Sequence, residues 1–522
     1  MHVQATHPSG KPANLCETCQ AGAREAFDGV DLPIEWLGRF LTDAEKEEVF
    51  VWAQSLAPDD FQGAQFRGHP VGQWALSSVI TFFRVYPVNM RSWSTINAYR
   101  GFLQGIAFTT IALERMFDTW KPDALLVMNG RMSVYQTAFQ LARLRGIRVL
   151  VHERPLTFGT LRVFENRICT SPFPFKEFWA NWSGVALRKD EIEQAAEWLR
   201  ERRVGSNMVG MFRFASDPVG SKSVKDSLSI PDGDRVGVFF TTSTDEIAGE
   251  PDWRGPFASQ EEFIQEVLNW AEETPNLTFI VRAHPALSGK VAIGRANEQI
   301  SWFLDLQQRV SNKIRVILPD EEVSSYDLME ISDFGVTFGS TAGIEMLALG
   351  KPIVTTPPVP FYDHVEGVTL ATNTAELRSS LSDAMSSPPN RERQRHAFRC
   401  IYRFYYSFQV PFPLVTMSAL GENRRNFHSD EQLKEGNDEG LDRICSFLID
   451  GVPIFPPPSS AELTIVQKDE DEFLDGIAAK PNWLYAAERG RKSISTRKSL
   501  RKALRALTKP LRRALNTVLP PE

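Results

Sequence analysis

The run Gly339-Ser340-Thr341-Ala342-Gly343-Ile344-Glu345 has the residue types of an anion-binding turn. Asp333 to Phe338 alternates apolar and small residues as a short buried strand does, and Ile344 to Leu349 is apolar at helical spacing until Gly350 stops it. A strand, a glycine turn and a helix in succession point unpaired backbone N–H groups, and the positive end of the helix dipole, above the strand end. Phosphate is the anion most often met there. Ser340 and Thr341 can cap the helix and donate hydroxyls, Gly339 and Gly343 let the backbone come close, and Glu345 could accept from ribose hydroxyls. The same residues also suit an ordinary α/β turn with a Ser/Thr cap.

A second signal precedes it. Asn276 to Arg282 (NLTFIVR) reads as a buried strand that ends in Ala283-His284-Pro285. An imidazole at the carboxyl end of a parallel strand lies in the crevice where open α/β sheets bind ligands. Asp234 to Phe240 (DRVGVFF) reads as an earlier strand, and Thr242 and Ser243 in the loop after it could meet a phosphate or sugar or form a plain Ser/Thr turn.

The motifs Arg-x-His-Pro at Arg282 and His284, the loop LPDEEVSSYDLM, and G-S-T-x-G-x-E-x-x-x-x-G-K-P from Gly339 together resemble the nucleotide-sugar half of GT-B glycosyltransferases. Among these the resemblance is to bacterial capsule polysaccharide biosynthesis proteins, which include Kdo transferases. It covers Arg235 to about Pro360 well and the N-terminal half in outline. It implies two facing Rossmann-like α/β domains with parallel sheets. It also implies a metal-independent transferase without a cofactor, whose co-substrate is a nucleotide-sugar, with CMP-Kdo or another CMP-sugar preferred and UDP-sugars open. The donor would meet Arg282, His284, Ser340, Thr341 and Gly343, and Tyr326 would stack on the base or pack under the following helix. UDP-N-acetylglucosamine 2-epimerases, glycerophosphotransferases of teichoic acid synthesis and a non-catalytic scaffold of a polysaccharide assembly complex are the alternatives.

The N-terminal half must then supply the acceptor side. Ala124 to Met128 (ALLVM) reads as a buried strand, Met132 to Arg145 as a helix and Arg148 to Val151 as the next strand, a βαβ unit. Asn129, Gly130 and Arg131 follow the first strand; His152, Glu153 and Arg154 follow the second. Inverting glycosyl transfer needs a group that takes the proton from the attacking hydroxyl. Glu153 is the first choice for this base and His152 the second. Asn129, Arg131 and Arg154 would bind the acceptor, a glycan or glycolipid, with the arginines suited to a phosphate or acidic sugar. A plain Glu153–Arg154 surface pair is the competing reading.

At 522 residues the chain exceeds one ordinary core. The pattern divides into an irregular segment 1–35, an acceptor-side domain 36–225, a nucleotide-sugar domain 226–390, a helical segment 391–452, a linker 453–488 and a tail 489–522. Five cysteines, an odd number spread over the chain, argue against a disulfide framework and for a reducing compartment. Cys16-x-x-Cys19 lacks the further ligands a zinc site needs. No secretory signal and no run of about 18 apolar residues is present.

The tail is different. Arg489 to Glu522 carries eleven Lys/Arg and one Glu, a net +10 against −17 for the residues before it, within a total of −7. From Leu500 apolar residues recur at three- and four-residue steps with basic residues between them, the pattern of an amphipathic helix on an anionic membrane surface. An acidic body without a basic groove argues against nucleic acid. The expected location is cytoplasmic, on the inner face of the membrane.

Overall fold

The computed structural model describes residues 20–22, 24, 33–83, 86–204, 220–243, 248–287, 297–417, 423–480 and 483–484. The Cys16-x-x-Cys19 motif and the amphipathic tail lie outside them. The chain divides into a unit Met1–Ala479 and a short unit Lys480–Glu522. All that follows concerns the first.

Its N-terminal half begins with helices. Thr42 caps Asp43–Ser55 through a complete capping box with Glu45. The apolar helices Val71–Phe83 and Trp93–Trp120 then pack on each other and on the helix Ser133–Leu144. That last helix joins β1 (Ala124–Met128) to β2 (Arg148–Glu153), which pair in parallel from Ala124↔Arg148 to Met128↔His152.

The sheet does not continue as the expected parallel one. β3 (Thr160–Glu165) runs antiparallel to β2, with Glu153 opposite Arg162. The physical reason is connection length: residues 154–159 are far too few for the crossover of a dozen or more that a parallel neighbour requires. Gly159, at a φ of 74°, lets the chain double back.

The C-terminal half holds a six-stranded sheet, all parallel, in the order β6-β5-β4-β7-β8-β9. Its strands are β4 (Arg235–Phe240), β5 (Leu277–Arg282), β6 (Ile314–Ile317), β7 (Phe334–Thr337), β8 (Ile353–Thr355) and β9 (Val368–Leu370). β5 and β7 are buried along their whole length, as strands covered by helices on both faces must be. One core joins Phe239, Phe279 and Phe334 of the sheet to Phe263, Val267 and Trp270 of the helix Gln260–Glu273 and to Leu377 and Leu381 of the helix Thr374–Ser386. β9 forms an edge of the sheet, and its three partly exposed residues carry too little pattern to announce a strand.

The order of these strands locates a crevice. The chain lays down β4, β5 and β6 in one direction, then returns to the other side of β4 for β7, β8 and β9. The loops after β4 and β7 therefore part in opposite directions, and ligands of open α/β sheets bind at such a reversal.

The chain then returns to the first sheet. The helix Arg391–Tyr402 passes into a π-helical turn, Arg403–Ser407, and β10 (Val410–Pro411) pairs antiparallel with β3. A hairpin of β11 (Val415–Met417) and β12 (Asn423–Arg425) follows. The helix Glu439–Asp450 covers one face of β2 and β3, burying Ile444 and Phe447 against Leu150, Val163 and Val410. The stretch 453–488, expected as a linker, instead carries the helix Lys468–Ala478, docked by a fully buried Glu470. The two oxygens of Glu470 accept from Nε and Nη2 of Arg399 at 2.8 and 2.7 Å. No helix of the described residues is long and apolar enough to cross a membrane.

Candidate functional site

The Gly339–Gly343 turn is built as a rigid shelf. Tyr362, fully buried, donates from its hydroxyl to the carbonyl of Ser340 at 2.5 Å and also lies 3.0 Å from Thr337 Oγ1. A Cβ at Gly343 would stand 2.5 to 2.7 Å from the Tyr362 ring and hydroxyl, so only glycine lets the turn rest on that ring. Gly339 takes a φ of 73°, with the Trp253 ring 3.6 Å from where its Cβ would be. The helix that follows is short, Ala342–Leu347, with Thr341 at its start and no side-chain cap. Ser340 is almost buried: its carbonyl accepts from the N–H of Gly343 at 3.2 Å, and its Oγ from the N–H of Ala342 at 3.4 Å.

The other donor-side candidates divide. Phe240 lies in register with both Arg282 and Thr337, so the ends of β5 and β7 flank that of β4. His284, Thr242 and Ser243 are partly buried at those ends, and the Thr242 N–H donates to Gln260 Oε1 at 2.7 Å. Arg282 turns inward: it is 2% exposed and donates from Nη1 to the carbonyl of Leu318 at 2.6 Å. Burial pulls its pKa down to about 10, against the pull of Glu321. Its Nε and the hydroxyl of the adjacent Thr241 are buried polar atoms without a partner, located at this same sheet edge.

Two expectations are corrected. Glu345 is 2% exposed and its Oε1 accepts from Arg202 Nε at 2.9 Å, so a ribose does not have it free. The arginine comes from the helix Lys189–Val204 of the other half, a partner that local spacing could not announce. Tyr326 is buried, its hydroxyl donating to the carbonyl of Arg202 at 2.9 Å, with the Arg203 guanidinium over its ring at 4.8 Å. The side chain packs against the end of the helix Lys189–Val204, not under the helix that follows it, and no face is left for a base.

On the first sheet the pleat separates the two base candidates, since successive strand residues point to opposite faces. His152 shares a face with Leu150 and Val163, the face covered by the helix Glu439–Asp450. Burial lowers its pKa, with Glu153 opposing. Glu153 lies on the other face, with Arg162 directly across on β3. Its Oε2 accepts from Asn129 Nδ2 at 2.5 Å and its Oε1 from the N–H of Arg154 at 2.9 Å. Asn129 also reaches Cys169 Sγ at 3.1 Å, a thiol whose pKa burial pushes up to about 12. The Arg154 guanidinium is largely exposed and 3.8 Å from Glu153, so it stays at the rim as an accessible cation.

Arg131 is the third correction. It is buried and its Nε lies 3.0 Å from Glu250, both side chains being at most 5% exposed. Ser77 also donates to Glu250, whose pKa burial raises against the pull of Ser77 and Arg131. An acceptor anion does not find this arginine free. Nearby, Asp252 accepts from the Ser171 hydroxyl at 2.7 Å and Trp253 Nε1 donates to the carbonyl of Thr170 at 2.8 Å. The Glu250–Trp253 segment, which follows β4, thus straps the two sheets together. Its Glu-Pro-Asp-Trp sequence was the only available signal, and nothing in it names a partner 119 residues earlier.

A chain of contacts runs from Glu153's face to the glycine shelf. The Arg162 guanidinium stands 5.0 Å over Phe164 and 5.9 Å over Phe404 in the π-helical turn. Phe404 stacks on Phe361 at 3.9 Å, and Phe361 precedes the Tyr362 that braces Ser340. Among the described residues no group of three or more His, Cys, Asp or Glu could hold a metal ion.

Comparison with known proteins bears on this arrangement. Residues 252–405 match the capsule polysaccharide biosynthesis protein family. The match takes in Trp253, His284, the Ser340 shelf and Tyr362, and it agrees with the resemblance read from the motifs. No curated protein matches the chain. Among solved structures it is similar to the beta Kdo 2,4 transferase KpsC of Thermosulfurimonas dismutans, at 19% identity and a TM-score of 0.33 over 49% of this chain and 78% of that one. It is similar also to the alpha,alpha-trehalose 6-phosphate synthase of Burkholderia multivorans, at 12% identity and 0.32 over 67% and 80%. A third is the UDP-GlcNAc 2-epimerase of Methanocaldococcus jannaschii, solved with UDP-GlcNAc and UDP, at 13% identity and 0.28 over 58% and 81%. With scores of this size, the fold assignment rests on strand order and register and not on these likenesses.

Proposed function

We propose that this protein is a glycosyltransferase of bacterial surface-polysaccharide synthesis, with the nucleotide-sugar at the β4/β7 reversal and the acceptor on the Glu153 face of the first sheet. The observation that carries the reading is the braced Ser340 shelf at the strand-order reversal, joined through Phe361 and Phe404 to a sheet face bearing a hydrogen-bonded carboxylate. The family match over residues 252–405 supports it.

In this reading Glu153 takes the proton from the attacking acceptor hydroxyl. Asn129 and the Arg154 N–H hold its carboxylate in place. His284 and the hydroxyls of Ser340 and Thr341 meet the phosphate charge that grows as the nucleotide departs, which is electrostatic stabilisation by groups already in place. A CMP-sugar is the preferred donor and a glycan or glycolipid the acceptor. The basic tail would hold the enzyme at an anionic membrane surface, where each basic residue contributes on the order of 1 kcal/mol.

The test is a calorimetric and thermal-shift panel of CMP, CDP, UDP and GDP with the full chain. Tightest binding of CMP, weakened by substitution of Ser340, is the expected result; no nucleotide binding at millimolar concentration would overturn the reading. Product analysis with and without an acceptor glycan separates transfer from epimerisation.

A further inference from the structure

Arginines drawn into this fold commonly meet a carboxylate, although Arg282 has only the carbonyl of Leu318. Arg131 is held by Glu250, Arg202 by Glu345, and Arg395 and Arg399 by Glu470. Arg162, half-buried on the acceptor face, meets none. Among the described residues it makes no hydrogen bond and no ion pair, although burial lowers its pKa against the pull of Cys169, Glu153 and Tyr405. Glu153 is its cross-strand partner and acts on it through space without forming an ion pair, its oxygens accepting from Asn129 and the Arg154 N–H. The guanidinium instead lies over the rings of Phe164 and Phe404. A guanidinium seated against aromatic rings still carries the planar fork of N–H donors that suits a bidentate oxyanion.

We propose that Arg162 anchors an oxyanion on the acceptor, a carboxylate or phosphate of an acidic glycan, beside the hydroxyl that Glu153 deprotonates. The assignment to an acceptor rests on the transfer reading above; the anion site itself does not. Electrostatics gives the reason for its position. An anionic acceptor approaching the Glu153 carboxylate is repelled unless a cation lies within a few ångströms of both charges, and Arg162, opposite Glu153 in register, is that cation. Arg154 at the rim adds a second, exposed positive charge. Arg131, which its position in the sequence nominates for this task, is held by Glu250.

The experiment uses the full chain and four probes: methyl glucuronoside, its methyl ester, methyl glucoside 6-phosphate and methyl glucoside. Binding is followed by saturation-transfer NMR and calorimetry, with and without the nucleotide selected by the panel above. The wild type should bind at least one anionic probe ten-fold or more tightly than the neutral ester and glucoside. Arg162→Gln should erase that preference while leaving neutral binding unchanged, and Arg162→Lys should keep part of it and serve as the folding control. A preference for the glucuronoside alone assigns a carboxylate, and for the 6-phosphate alone a phosphate. Equal loss of anionic and neutral binding in both variants, an unchanged preference in Arg162→Gln, or no anionic preference in the wild type overturns the proposal. Anion binding that depends on Arg162, in a protein that binds no nucleotide, would sink the transfer reading and leave this site standing.

Discussion

Removing Arg131 tests whether Glu250 is a buried charge that depends on its partner. The two groups lie 3.0 Å apart with side chains at most 5% exposed. At an effective dielectric constant of 20 their attraction is about 5.5 kcal/mol, of which desolvation cancels a large part. Arg131→Met keeps the volume and strands the carboxylate, so the expected loss at pH 8 is about 3–5 kcal/mol.

The pH dependence has a definite sign. Burial already raises the pKa of Glu250 above the usual carboxylate value, so the stability this group contributes is complete at low pH and is lost as pH rises through the raised value. Arg131 restrains that rise. Without it the carboxyl titrates higher still, and Arg131→Met should cost less at pH 5 than at pH 8. Urea unfolding at both values measures the difference. The neutral double variant R131M/E250Q should recover stability relative to R131M at pH 8, because no charge then remains buried. A cost under about 1 kcal/mol with no pH dependence, or a double variant no more stable than R131M, would refute the argument.

Three further outcomes are expected. His284→Ala and Ser340→Ala should each lower transfer by about 10² at unchanged folding, measured by product formation at saturating donor. Gly343→Ala forces a Cβ against the Tyr362 ring, so it should destabilise the protein by about 1–3 kcal/mol and weaken nucleotide binding, as calorimetry would report. Deleting residues 489–522, which carry a net +10, should release the protein from anionic vesicles in a flotation assay at moderate salt while sparing transfer to a soluble acceptor.

Several elements were legible because their causes are local. NLTFIVR and DRVGVFF are buried strands by composition alone, and the His284 and Ser340 motifs lie at strand ends because the runs before them end there. Charge separation between an acidic body and a basic tail is likewise a property of the chain as written.

What a charged side chain does once buried depends on which distant segment meets it, and local spacing does not encode that meeting. Glu345 and Arg202 are 143 residues apart, Arg131 and Glu250 119, and Arg399 and Glu470 71. Tertiary structure therefore decided that Glu345 and Arg131 are held by partners, that Tyr326 is covered, and that the helix Glu439–Asp450 covers the face of His152 and not that of Glu153. It also left Arg162, one residue of an unremarked antiparallel strand, as the cation beside Glu153. The amino-acid order determined where strands end and which groups stand there; only the folded packing determined which of those groups keep an unsatisfied charge for a ligand, because in a low-dielectric interior a charge pairs with whatever opposite charge the fold brings to it.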